Sequence, residues 1–178
     1  SAFPDAAWEM DEHVTKVLEK LVSQRASLLI VGNPGVGKSA VLRQAIRKIT
    51  THAKKQRLDY SCWRMQAQRI TATAKYLGEW QETVEELVYE IASVNGILWV
   101  EDVVQLLKEG GTGAEDSVAA YLLQFIQQGR LQLVGEATPQ QLESMRRLLP
   151  GFVESLQLVE IPELPEQKLQ LIFQKFSD

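Results

Sequence analysis

Cysteine is almost absent from this sequence: among 178 residues there is one, Cys62. A lone thiol forms no internal disulfide and no cysteine-based zinc or iron–sulfur site, so a reducing, cytoplasmic setting is expected. Histidine is nearly as scarce. His13 and His52 have no second metal-ligand candidate at useful spacing, and neither is expected to bind metal. No apolar run approaches the ~18 residues of a membrane span. Residues 1–5, Ser-Ala-Phe-Pro-Asp, have neither the basic flank nor the apolar stretch of a signal peptide, so no membrane partner is expected. An initiator Met is also missing, and the expectation is a processed or excised fragment. Cations do not dominate either: 19 Lys and Arg stand against 23 Asp and Glu, a net charge of −4. Phosphate-backbone binding needs clustered cations, which argues against nucleic acid as the partner. The basic run at 52–57 is too short to reverse that and reads as a solvated loop.

What is present is the composition of an ordinary globular protein, 45% hydrophobic and 24% charged. The length fits one domain, or one domain with a short appendage, able to bury a core without covalent staples. Helical and strand periodicities alternate from end to end, the pattern of an α/β fold with a parallel sheet. Helices are predicted over 9–22 (inward face Val14, Val17, Leu18, Leu21, Val22), 39–49, 81–93, 117–128, 140–149 and 166–176. Strands are predicted over 27–31, 58–65, 97–100, 131–134 and near 156–161. Asn95-Gly96 breaks the third helix. There is no internal repeat and no low-complexity segment.

The first strand runs into Gly32-Asn33-Pro34-Gly35-Val36-Gly37-Lys38-Ser39, which satisfies G-x-x-x-x-G-K-[ST] at every fixed position and opens a helix at Ser39-Ala40. Glycines let the backbone curl until successive N–H groups point inward at phosphate oxygens, and the helix adds the positive end of its dipole. Asn33, Pro34, Gly35, Val36, Gly37, Lys38, Ser39 and Ala40 are therefore the candidate ATP-binding residues. Lys38 supplies a mobile charge for the β and γ phosphates, and Ser39 a hydroxyl for Mg²⁺. A P-loop enzyme also needs an acid at the end of a neighbouring strand. Glu101 and Asp102 stand where the apolar run 97–100 ends, Glu101 as a candidate metal ligand and both as catalytic candidates.

With these motifs in view, the chain resembles the first ATPase module of the Clp chaperones (ClpA, ClpB and ClpC), a branch of the AAA+ superfamily. The likeness runs from about residue 11 to residue 176. Besides the P-loop it rests on Lys75-Tyr76-Leu77-Gly78-Glu79-Trp80, similar to the family's axial pore loop Lys-Tyr-Arg-Gly-Glu-Phe, and on the segment from Gly113 to Leu131. Val134-Gly135-Glu136-Ala137-Thr138 is similar to the family's Val-Gly-Ala-Thr-Thr, with Thr138 at the polar sensor place near the γ phosphate. The resemblance implies a large α/β nucleotide-binding subdomain, a central parallel sheet flanked by helices, over residues 1–163. Residues 164–178 would be the first helix of a truncated lid. It further implies ATP and Mg²⁺ as cofactors, neighbouring AAA+ subunits in a hexamer, and unfolded polypeptide gripped at Lys75 and Tyr76 and threaded through the ring. For Tyr76 the other reading is a loop tyrosine packed on Trp80 or Met65.

Two departures stand out. The family order at the acidic pair is Asp then Glu, and here it is Glu101 then Asp102. Counting from Thr138, the family's Arg-Arg-Phe finger falls on Glu154-Ser155-Leu156, and Arg146 and Arg147 lie eight residues earlier. Two functions follow as expectations: a Clp-like protein-remodelling ATPase, or an ATP-binding scaffold that hydrolyses little.

Overall fold

The computed structural model describes residues 4–58, 60–72 and 80–163. Five strands form one parallel sheet: β1 (Leu28–Val31), β2 (Cys62–Met65), β3 (Ile97–Val100), β4 (Leu133–Ala137) and β5 (Gln157–Glu160). Their order across the sheet is β2-β3-β4-β1-β5. The expected parallel α/β architecture is what the chain adopts. The central strands β1, β3 and β4 are buried at every position, as continuous apolar runs covered on both faces should be.

Side chains of a strand alternate between the two faces, and the core divides accordingly. Leu28, Ile30, Ile97, Trp99, Val134 and Val159 pack with Val14, Val17 and Leu21 and with Val41, Leu42, Ala45 and Ile49. Those partners come from α1 (Pro4–Leu18) with the π-helical turn that follows it (Glu19–Ser23), and from α2 (Lys38–Lys55). Leu29, Val31, Leu98, Val100, Leu133 and Ala137 face the other way. They are covered by α3 (Ala67–Thr71), α4 (Trp80–Ser93), α5 (Val118–Gln127), α6 (Pro139–Leu148), α7 (Pro150–Glu154) and a 3₁₀ turn at Val103–Leu107.

The structure corrects several boundaries. Val22, expected on the inward face of the first helix, is 53% exposed. The wider π turn adds a residue to the last turn and rotates Val22 off the face that holds Val14, Val17 and Leu21. The Gln132 side chain donates to the carbonyls of Leu21 (2.8 Å) and Ala26 (3.0 Å) and so ties this irregular end to the sheet. The helix after the P-loop continues through Lys55, so most of the basic run read as a loop is helical, with cations in the last turn where the helix dipole favours them. The second strand starts at Cys62 rather than residue 58, and Leu58 is exposed. The strand expected over 131–134 covers Leu133–Ala137 instead: a glycine and a glutamate that read as loop lie inside the sheet. Asn95 does break α4, in the left-handed region at φ 47°. The helix expected over 166–176 lies outside the described residues.

Candidate functional site

Because β1, β4 and β3 are neighbours and parallel, the loops leaving their carboxyl ends lie side by side. These are the P-loop, Thr138 and the Glu101-Asp102 pair. Register makes this concrete: Val31 pairs with Ala137, and Val100 pairs with Gly135. The candidate residues on the described segments are thus gathered at one end of the sheet. Lys75 and Tyr76 lie outside the described residues.

The loop at 32–39 is built by backbone. Gly35 and Gly37 have φ of +84° and +100°, values that a side chain would strain, and both sites are open. Gly37 caps α2 without any side-chain hydrogen bond, and the first turn of α2 carries no acid. Its N-terminal N–H groups are therefore not taken up by a side-chain cap, and the dipole of an 18-residue helix points at the loop. Asn33, Pro34 and Gly35 are exposed, while Val36, Gly37, Lys38, Ser39 and Ala40 are half-buried. Lys38 folds back over the loop, its ammonium donating to the carbonyls of Gly32 (2.6 Å) and Asn33 (3.0 Å). The Asn33 amide donates to Glu163 at 2.8 Å, which ties the loop to the segment after β5.

Ser39 does not stand alone. Its hydroxyl donates to Oε1 of Glu136 at 2.5 Å, and Oε2 of Glu136 accepts from the Trp99 indole at 3.0 Å. Sequence reasoning passed over Glu136. The available signal was a charge inside an apolar run, at a place where the resembling family has alanine. Magnesium prefers oxygen ligands. A hydroxyl whose proton is held by a carboxylate presents its lone pairs outward, so the donor set at Ser39 fits a nucleotide-bound Mg²⁺. Among the described residues no cluster of three or more His, Cys, Asp or Glu is arranged to hold a metal by itself.

The acids at the end of β3 are differently placed. Glu101 forms an ion pair with Arg64, whose guanidinium also lies over the Trp99 ring, 4.6 Å from its centre. Arg64 is on β2 directly opposite Trp99, and Glu101 follows two residues later on the same face. Asp102 accepts the backbone N–H of Ala67 at 3.1 Å, at the start of α3. Thr138 caps α6: its hydroxyl accepts from Gln141 N–H (3.2 Å), and the Gln141 side chain accepts from Thr138 N–H (2.9 Å). Arg146 pairs with Glu143 at 3.1 Å, and Arg147 and Glu154 are exposed. Burial pushes the Cys62 thiol up to about 11, with Arg64 pulling the other way, which disfavours the thiolate.

The sequence model of the AAA family, "ATPase family associated with various cellular activities", matches residues 28–153. The ATP-binding subunit ClpC of an ATP-dependent Clp protease from Staphylococcus aureus is 27% identical over 131 residues, which is 72% of this chain and 16% of ClpC. The ClpC of Staphylococcus epidermidis matches to the same extent. The chain therefore spans about a sixth of these relatives. Among solved structures, Saccharomyces cerevisiae Hsp104 in its casein complex superposes with a TM-score of 0.72 at 21% identity, over 92% of this chain and 28% of Hsp104. An ORC1 protein of Aeropyrum pernix in complex with DNA gives 0.67 at 21%, over 94% of this chain and 48% of its own. At such identities the structural likeness speaks for the fold alone.

Proposed function

The chain belongs to the AAA family of ATPases, and from that premise we propose that its P-loop binds ATP with Mg²⁺, as one nucleotide-binding module of a ring-forming, Clp-like machine that moves polypeptide. The observation that carries the reading is the loop itself. Two left-handed glycines, the α2 N-terminus free of side-chain caps and Lys38 already within the loop form a phosphate cradle. Asn33 to Ala40 would surround the phosphates, Lys38 would meet their charge, and Ser39 would hold the metal, which when bound neutralises phosphate charge. Thr138, at the end of β4 beside the loop, would sense the γ phosphate. Polypeptide is preferred over DNA as the cargo because the net charge is negative and the segment with Lys75 and Tyr76 resembles the polypeptide pore loop of the Clp chaperones. The module would reach its hexameric neighbours in the cytoplasm.

The test is thermal unfolding with and without ATP and Mg²⁺. Ligand that binds the folded state alone stabilises it by RT ln(1 + [L]/Kd), about 2.7 kcal/mol at a hundredfold excess over Kd. Unchanged melting at millimolar ATP would end this reading.

A second reading is favoured by one observation: both acids at the end of β3 are engaged by the chain's own groups, Glu101 by Arg64 and Asp102 by Ala67 N–H. A general base must reach the proton it takes. In this reading the module binds ATP and supports assembly while hydrolysing slowly. Steady-state turnover separates the two.

A further inference from the structure

Among the described residues Glu136 is the one ionisable side chain in the buried class, at 6% exposure. A buried carboxylate is costly unless its oxygens are satisfied. Here each has one neutral donor, the Ser39 hydroxyl on Oε1 and the Trp99 indole on Oε2. No cation is paired with it among the described residues. The charge is therefore solvated by two dipoles and aimed, through one of them, at the P-loop.

The aim is set by the sheet. Glu136 pairs in register with Ile30, two residues before Gly32, so β4 delivers it beside the start of the loop. Trp99 is on the same face, one strand further, and its indole fixes Oε2, which leaves Oε1 for Ser39. A serine hydroxyl has one proton and two lone pairs. With the proton held by Glu136, both lone pairs are free for a cation, and the oxygen gains electron density. This is the way outer-shell carboxylates orient and strengthen metal ligands. The acids at the end of β3 are turned to other partners, Arg64 and Ala67 N–H.

We infer that Glu136 is the positioning residue for the metal half of the nucleotide site: it holds the Ser39 hydroxyl so that its lone pairs meet the Mg²⁺ of bound ATP. The inference rests on the ATP-binding reading above. It assigns to β4 a contact with Ser39 that Glu101, paired with Arg64, does not make in this structure.

The experiment measures ATP affinity by calorimetry with Mg²⁺ and again with EDTA, and takes the ratio of the two dissociation constants. Glu136→Gln keeps shape and removes charge, and its amide NH2 cannot accept at whichever of the two oxygen positions it occupies. The expected result is a fall in the Mg²⁺-to-EDTA affinity ratio of about tenfold to a hundredfold, the range found when outer-shell partners of metal ligands are changed. Affinity in EDTA should hold or rise, since a negative charge near the phosphates has gone. In a Ser39→Ala background, Glu136→Gln should change the ratio no further, because its effect runs through Ser39. Should Glu136→Gln fail to fold, Glu136→Ala supplies the same comparison with the smaller residue. A purely structural role would lower both arms together and leave the ratio unmoved. An unmoved ratio in a folded variant, or tighter binding with Mg²⁺, overturns the inference while the ATP-binding reading survives. Wild type that binds ATP in neither arm overturns both.

Discussion

Two loops lie side by side at the carboxyl end of the sheet, and their side chains are disposed in opposite ways. At the end of β1, residues 32–39 present backbone donors and a lysine held over its own carbonyls, with no side chain capping the helix behind them. At the end of β3 both acids are already bonded, Glu101 to a cation from the edge strand and Asp102 to the first N–H of α3. In the reading proposed above, the groups that would hold a phosphate face the loop, whereas the acids that would act on water are bonded to Arg64 and to the Ala67 N–H. On that reading, binding and hydrolysis would depend on separable parts of this chain. A family match made across both loops together does not reveal that difference.

The comparison breaks most sharply at Lys38. Lys38→Ala should abolish the ATP-dependent rise in melting temperature, a loss of about 2.7 kcal/mol at a hundredfold ligand excess, read by differential scanning fluorimetry. Next in size is hydrolysis. Exchanging the acids, Glu101→Asp with Asp102→Glu, withdraws the first carboxylate from Arg64 and extends the second by one methylene. Because a misplacement of about 1 Å can cost on the order of 10²-fold, turnover in a phosphate-release assay should rise toward that factor. A variant no faster than wild type would mean that the engagement of these acids does not limit the rate. Smaller again is Trp99→Phe, which removes the indole donor from a buried carboxylate. Hydrogen bonds to charged groups contribute about 1.5–3 kcal/mol, and urea unfolding at neutral pH should show a loss of that order. The smallest effect is expected at Arg64→Ala. That pair is more than one-third exposed on both sides, and exposed pairs contribute about 0–1 kcal/mol. A larger loss in urea would show that the stacking of Arg64 on Trp99 matters more than the charge.

Much of this was legible in the residues. The run 97–100 and the segment 28–31 have the unbroken apolarity of doubly covered strands, and the P-loop motif states its own geometry through its glycines. What escaped did so for identifiable reasons. The end of β4 was missed because Gly135 and Glu136 look like turn residues, and only the partners supplied by α2 and β3 make a glutamate tolerable there. Nothing in the residue pattern singles out Arg64. Its meeting with Glu101 depends on the pairing of β2 with β3, which residue pattern does not specify. The short helices α3 and α7, five residues each, are too brief for periodicity to register. A period of 3.6 puts Val22 on the inward face, and the π turn does not keep that period. Neither the segment with Lys75 and Tyr76 nor the last predicted helix falls within the described residues.

Lys38 sits with its ammonium on two carbonyl oxygens of its own loop, 2.6 and 3.0 Å away. If Lys38 meets the phosphates as proposed, the arrival of ATP is an exchange of partners rather than a capture. Ordering a free lysine side chain costs about 1.5–2 kcal/mol of rotamer freedom, and folding has met that cost before any phosphate appears. The lysine is also partly desolvated beforehand, so phosphate oxygens displace carbonyls instead of a full hydration shell. The same arrangement sets a threshold: a ligand must offer oxygens that bind an ammonium better than two peptide carbonyls do. Phosphates carry the formal charge to meet it, and neutral ligands of the same size do not.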